Sequence, residues 1–136
     1  MTLTIASVNV NGIRAACKQR NENNPGMNAW LAETSADIVL MQEVRATPEQ
    51  AEKALAPALE MGWHLALADA AAKGRAGVGI LSRTPLADVE VGFGSFSDAG
   101  RWIAATTRDI RVASLYLPSG DTGSPKLDEK YRFLDE

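Results

Sequence analysis

The pattern of apolar and polar positions in the first forty residues predicts strands alternating with a helix. Residues 3–10 are mostly apolar or β-branched and lead into Asn11-Gly12, so they predict a strand that ends in a turn. Residues 27–34 place apolar side chains at helical spacing, which predicts a short amphipathic helix. Residues 38–41 form a short apolar run typical of a buried strand.

Residues 48–60 are rich in helix formers and predict the next helix. Thr47 is suited to the N-cap, and Pro48 to the first helical position, where its missing N–H costs nothing. Pro57 cannot continue a helix without loss of a hydrogen bond, so it is predicted to kink or end this one.

The rest of the chain predicts mostly strands, separated by clusters of Gly, Pro, Asp and Ser. The predicted strands are 63–68, 77–82, 86–91, 102–107 and 110–117. A hairpin turn at 107–109 joins the last two, and a helix is predicted to begin at 127 and to run to 134. Strands and helices in this order predict an α/β chain with a mixed sheet.

The composition is that of one ordinary globular domain. The chain has 136 residues, of which 46% are apolar and 23% are charged. Cys17 is the only cysteine, which excludes an internal disulfide and a multi-cysteine zinc site. We find no signal-peptide pattern and no apolar run of membrane-spanning length, so we expect a soluble, cytoplasmic protein without membrane contact.

The net charge of −3 argues mildly against a protein that coats nucleic acid regardless of sequence. It is compatible with a nuclease, because a local basic patch can bind phosphates on an otherwise acidic protein.

Four polar side chains lie at or just beyond the ends of predicted strands, where ligands of α/β sheets collect. They are Asn9, Asn11, Glu43 and Tyr116. Asn9 and Asn11 are two positions apart and would point to the same side of an extended strand. One carboxylate beside amide oxygens suits Mg²⁺, and a tyrosine could position a phosphate or act as a phenolate. Taken singly, each residue is more often a turn, surface or packing residue.

The only histidine, His64, has no acidic neighbour in sequence and is interpreted as structural.

Six segments in order resemble those of exonuclease III-type apurinic/apyrimidinic endonucleases. They are 7–15 (SVNVNGIRA), 37–43 (DIVLMQE), 73–83 (KGRAGVGILSR), 100–103 (GRWI), 114–120 (SLYLPSG) and 130–134 (KYRFL). The resemblance implies the front half of a four-layer α/β sandwich of the DNase I-like type. It also implies a metal-dependent hydrolase that uses Mg²⁺ or Mn²⁺ and acts on DNA, especially abasic-site duplexes and 3′ ends, in base excision repair.

The resemblance also assigns roles to residues. Asn9 and Glu43 would be metal-site residues with Asn11 beside them, and Tyr116 would be the active-site tyrosine. The residues expected near the DNA backbone are Arg14, Arg45, Lys73 and Arg75. Ser119 stands where the family usually has asparagine, so its contact with substrate is expected to differ.

The family's later Gly-Asp-x-Asn and Ser-Asp-His segments do not occur in these residues. We therefore expect 1–136 to be a single, C-terminally truncated domain that contains one of two sheets and is inactive alone. We expect the full-length protein to be a monomer. Two alternatives stay open: a non-catalytic nucleic-acid-binding module, and a phosphatase of the same superfamily that acts on a non-DNA phosphoester.

Overall fold

The computed structural model describes residues 2–18, 26–69, 76–92 and 100–116. Its helices are α1 (Ile13–Ala16), α2 (Met27–Glu33), α3 (Pro48–Ala54) and α4 (Ala56–Glu60). Its strands are β1 (Ile5–Asn9), β2 (Ile38–Gln42), β3 (His64–Ala68), β4 (Val78–Ser82), β5 (Ala87–Val91), β6 (Trp102–Thr107) and β7 (Ile110–Leu115). The predicted strands and the helices of 27–34 and 48–60 are confirmed within a few residues. The sequence did not predict α1, and the helix predicted at 127–134 lies outside the described residues.

The predicted start and break of the helix over 48–60 are both present. The Thr47 side chain accepts a hydrogen bond from the Gln50 backbone N–H, and the Gln50 side chain accepts one from the Thr47 N–H. This capping box satisfies two N–H groups that have no partner within the helix. The helix breaks at Leu55, and Pro57 lies in the first turn of α4, where proline is tolerated.

The strands form two sheets. The first has the order β1-β2-β4-β3, in which β1 and β2 are parallel and the other pairs are antiparallel. The second is antiparallel, with the order β5-β6-β7. The expectation that residues 1–136 contain one sheet of the sandwich is wrong, because the described strands contribute to two. Arg108 and Asp109 form the predicted hairpin turn, with φ of 51° and 63°.

The two sheets pack on each other, and the helices cover the other face of the first sheet. Alternation along β2 shows why: Val39 and Met41 are buried in the core with the helices, and Ile38 is buried in the core between the sheets. The resulting layers are helices, mixed sheet and antiparallel sheet, which confirms the predicted half of an α/β sandwich. Among the described residues, no helix is long and apolar enough to cross a bilayer.

The topology brings three strand ends to one edge. Because β1 and β2 are parallel, Asn9 pairs with Gln42 at their carboxyl ends. The end of β7 reaches the same place from the second sheet, since the Ser114 hydroxyl donates to the Met41 carbonyl at 2.7 Å. We call this edge the carboxyl end of β2. The opposite edge, where Ile38 pairs with Ser82, is the amino end of β2.

Candidate active site

Glu43 is held at the carboxyl end of β2 by an unusual backbone. Glu43 and Arg45 have left-handed φ values of 53° and 52°, and the Val44 side chain between them is buried. The Gly12 N–H donates to the Glu43 carbonyl at 2.7 Å, and the Val44 N–H donates to the Gly77 carbonyl at 2.9 Å. Loops on both sides therefore fix this segment in a conformation that L-residues rarely adopt.

The Glu43 carboxylate is the centre of the site. The Tyr116 hydroxyl donates to its Oε1 at 2.8 Å, and the Arg45 guanidinium donates to its Oε2 at 2.9 Å. The Asn9 side chain lies beside it and is the largest cause of its lowered pKa, followed by Tyr116, while the charge of Arg45 adds to them. The side chain is only 14% exposed, and the partial burial opposes this shift without cancelling it. Glu43 is therefore ionised at neutral pH.

Tyr116 faces Glu43 as a neutral phenol. Burial raises its pKa, and the hydrogen bond to Glu43 and the negative charge of Glu43 raise it further; Arg101 and Arg45 act in the opposite direction. Of the two roles that the sequence leaves open, the geometry favours the phenol that donates a hydrogen bond over the phenolate.

Arg101 is a site residue that sequence reasoning missed. Its guanidinium lies 5.2 Å from the centre of the Tyr116 ring, and it donates to the Tyr116 carbonyl at 3.3 Å. The signal that could have found it is the predicted hairpin at 107–109, because β6 and β7 pair Trp102 with Leu115 and so place Arg101 opposite Tyr116.

Asn9 and Asn11 do not share a face of a strand. Asn11 lies beyond β1 with a φ of 47°, and its N–H donates to the Asn9 Oδ1 at 3.0 Å. The expectation of an extended chain from Asn9 to Asn11 is wrong, because β1 ends at Asn9 and Asn11 has a left-handed φ. The turn instead fixes the Asn9 amide beside Glu43.

The predicted basic residues are only partly described. Arg14 donates to the Arg45 carbonyl at 3.3 Å, so both arginines adjoin the Glu43 segment. Lys73, Arg75 and Ser119 lie outside the described residues.

Two other reactive side chains do not belong to this site. His64 is exposed and pairs with Ser82 at the amino end of β2, far from Glu43. Burial raises the pKa of Cys17 to about 11, so its thiol is protonated at neutral pH and a poor metal ligand.

The donor set fits a hard divalent cation. Glu43 supplies a carboxylate and Asn9 an amide oxygen, and no cluster of three or more His, Cys, Asp or Glu side chains occurs within the described ranges. Mg²⁺ commonly binds proteins through one or two carboxylates and keeps several waters. Tyr116 and Arg45 occupy only part of the accepting capacity of the carboxylate, which has about four lone-pair sites.

Solved structures resemble this chain over nearly its whole length. An AP endonuclease from Archaeoglobus fulgidus is 31% identical with a TM-score of 0.80, and the match covers 98% of this chain and 49% of that one. The 3′ phosphatase NExo from Neisseria, bound to product DNA hairpin, is 28% identical with a TM-score of 0.80 and the same coverage. The 3′–5′ exonuclease NExo from Neisseria meningitidis is 29% identical with a TM-score of 0.78, covering 99% and 49%. The chain thus spans about half the length of these structures.

A family model for the endonuclease/exonuclease/phosphatase family matches residues 6–133. This match includes the strand ends that carry Asn9, Glu43 and Tyr116. Members of this family are hydrolytic nucleases and phosphatases, and a carboxylate, an amide and a phenol at one sheet edge agree with such chemistry. The chain belongs to the endonuclease/exonuclease/phosphatase family.

Proposed function

We propose that the protein containing this chain is a divalent-metal-dependent DNA phosphodiesterase that cuts at abasic sites and processes 3′ ends. The observation that carries the proposal is the ionised Glu43 carboxylate, held by Asn9, Tyr116 and Arg45 where three strands end. The similarity to an AP endonuclease and to NExo supports DNA as the substrate.

Each side chain has a role that its position supports. Glu43 and Asn9 would hold Mg²⁺ or Mn²⁺. Such a cation neutralises charge on the phosphate and polarises the leaving oxygen. Tyr116, as a neutral donor beside Glu43, would hydrogen-bond a phosphate oxygen and orient it.

The arginines would bind the DNA backbone. Arg45 and Arg14 adjoin the Glu43 segment, and the sequence places Lys73, Arg75 and Ser119 in segments of the same resemblance. A local group of cations of this kind binds phosphates despite the net charge of −3.

Residues 1–136 alone are expected to cut DNA too slowly to measure. The described side chains beside Glu43 are a neutral phenol, a guanidinium and an amide, and none of these is basic enough to accept a proton from water. Lack of a general base typically lowers a rate by roughly 10²- to 10⁴-fold.

The test uses the natural protein that contains these residues. Its substrates are a labelled duplex with one tetrahydrofuran abasic analogue, the undamaged duplex, a duplex with a 3′ phosphate, and an inositol phosphate, each in Mg²⁺, Mn²⁺ or EDTA. We expect metal-dependent cleavage of the abasic strand or trimming of 3′ ends, lost in EDTA. Hydrolysis of the inositol phosphate alone would overturn the proposal in favour of a non-DNA phosphatase. DNA binding without cleavage in either metal would favour a binding module.

A further inference from the structure

A second group of hydrogen bonds lies just before the candidate site along strands β1, β2 and β7. The Ser114 hydroxyl donates to the Met41 carbonyl at 2.7 Å, and its oxygen accepts a hydrogen bond from the Gln42 Nε2 at 3.2 Å. Because a hydroxyl has only one proton, the bond to Met41 leaves Ser114 as the acceptor for Gln42. The same Nε2 lies 3.2 Å from the Ser7 oxygen. Three strands from two sheets are thereby joined.

Each member of this group precedes a residue of the candidate site. Ser7 is two residues before Asn9, Gln42 is next to Glu43, and Ser114 is two residues before Tyr116. Two residues along a strand span roughly 6.5 Å and return to the same face. We call Ser7, Gln42 and Ser114 the supporting layer.

We propose that the supporting layer positions Glu43 relative to Tyr116 and Asn9 for metal binding and catalysis. This inference rests on the proposed function. Glu43 and Tyr116 belong to strands in different sheets, β2 and β7, and the sequence separates them by 73 positions. Nothing along the chain fixes their distance, whereas the bonds of Ser114 to Met41 and Gln42 tie those two strands together one step before the site.

Burial makes these bonds specific. Ser114 is 1% exposed, so without its hydroxyl the Met41 carbonyl would lose a partner that water cannot easily replace. The Gln42 amide would keep only acceptors of its own sheet, Ser7 and the Leu40 carbonyl. The strands could then slide or separate slightly. At metal sites, loss of a group that orients a metal ligand typically lowers metal affinity or activity by roughly 10- to 100-fold.

The amino end of β2 provides a matched control. There Ser82 lies 3.3 Å from the Thr107 hydroxyl, and Thr84 contacts both. Ser82 is 0% exposed, and its bond to Thr107 also joins the two sheets, β4 to β6. Ser82 differs from Ser114 in lying about four residues of strand, roughly 13 Å, from the candidate site.

The experiment compares Ser114→Ala with Ser82→Ala in the natural protein that contains these residues. Thermal melts, kcat and KM on the abasic duplex, and Mn²⁺ affinity by electron paramagnetic resonance are measured for both. We expect both variants to melt a few degrees lower, by roughly 2–8 °C. Only Ser114→Ala should lower kcat, by roughly 10- to 100-fold, and weaken Mn²⁺ binding, with KM nearly unchanged. Gln42→Met, which keeps the length of the side chain without its hydrogen bonds, should act like Ser114→Ala and serves if that variant does not fold.

The outcomes separate this inference from the proposed function. Equal kcat and Mn²⁺ affinity in the two serine variants, in a protein that cuts DNA, would overturn the inference alone. If the wild-type protein binds Mn²⁺ without cutting DNA, the proposed function fails, and the difference in Mn²⁺ affinity still decides the inference. A wild-type protein that neither cuts nor binds Mn²⁺ overturns both.

Discussion

The two ends of β2 have the same kind of buried bridge between the sheets but differ in what lies beyond it. At the carboxyl end, the Ser114 bridge is followed by Glu43, an ionised carboxylate hydrogen-bonded to a phenol and a guanidinium. At the amino end, the Ser82 bridge is followed by a hairpin turn and by Asp37, whose carboxylate accepts the Thr4 N–H at 3.0 Å. Buried hydroxyls therefore join sheets without implying chemistry, and the function depends on the groups beyond them.

The backbone differs between the two ends as well. At the carboxyl end, four non-glycine residues outside any hairpin have left-handed φ, at a cost of roughly 1–2 kcal/mol each. They are Asn11, Glu43, Arg45 and Ala76. At the amino end, the left-handed residues Arg108 and Asp109 form an ordinary hairpin turn, and Asp88 lies at the register shift of β5. The backbone strain at the carboxyl end persists because surrounding contacts hold it, among them the hydrogen bonds of Gly12 and Gly77.

The largest expected effect comes from replacing the Glu43 carboxylate, and the Asp37 carboxylate at the opposite end is the control. Glu43→Gln should lower the incision rate by roughly 10²- to 10³-fold, the scale of losing one preorganised electrostatic contact. Asp37→Asn should keep the wild-type rate, because an amide oxygen can still accept from the Thr4 N–H. Single-turnover incision of an abasic duplex in Mg²⁺ measures both. Equal losses would mean that the two ends do not differ in function.

Tyr116→Phe should have a smaller effect, with a pH dependence of definite sign. Loss of one hydrogen bond to a charged group is worth about 1.5–3 kcal/mol, so the incision rate should fall roughly 10- to 100-fold. The Asn9 and Tyr116 side chains lower the pKa of Glu43 below its unfolded value of about 4.3. The stability they contribute is therefore present above that pH and is lost as the pH falls through the folded pKa.

Urea unfolding in EDTA checks this sign. The difference in unfolding free energy between wild type and Tyr116→Phe should be larger at pH 7 than at pH 3. The same substitution in a Glu43→Gln background is the control, and there the pH dependence of the difference should disappear. A difference that grows towards acid would contradict the assigned hydrogen bond.

Much of the fold could be predicted because its strands and helices have clear local patterns. The capping box of Thr47 and the break before Pro57 follow from local chemistry alone. The helix α1 was missed because four residues are too few to show a helical period, and Ile13 is buried there by tertiary packing. The division into two sheets was also missed, since strand pairing over long separations leaves no local signal.

The site divides along the same line. Glu43 and Tyr116 could be predicted because each follows an apolar strand, and both lie together in the structure. The contact of Arg101 with Tyr116 was missed, although the register of the predicted hairpin places residues 101 and 116 opposite each other. The bond of Gln42 to Ser114 could not be predicted. That bond depends on the stacking of one sheet on the other, which places residues 72 positions apart within hydrogen-bonding distance.

Two glycines with left-handed φ give the smallest expected difference between the ends. Gly77 has a φ of +91°, and an added Cβ would lie 3.3 Å from the Arg45 nitrogen. Gly62 has a φ of +104° near the amino end, and an added Cβ would meet nothing within 4 Å. Alanine at either position should cost roughly 1–2 kcal/mol in unfolding free energy because of the φ alone. Gly77→Ala should lose about 1 kcal/mol more, since Arg45 must shift.

The incision rates of the two variants then separate the steric contact with Arg45, present only in Gly77→Ala, from the backbone strain that both share. Gly77→Ala displaces the segment that carries Glu43, so its rate should fall by a few-fold, whereas Gly62→Ala should cut at the wild-type rate. Urea unfolding and single-turnover incision on both variants make the comparison. If both lose the same stability and neither loses activity, the loop around Gly77 yields without moving Glu43. In that case the hydrogen bonds of Glu43 to Tyr116 and Arg45, rather than its constrained backbone, would hold the carboxylate in place.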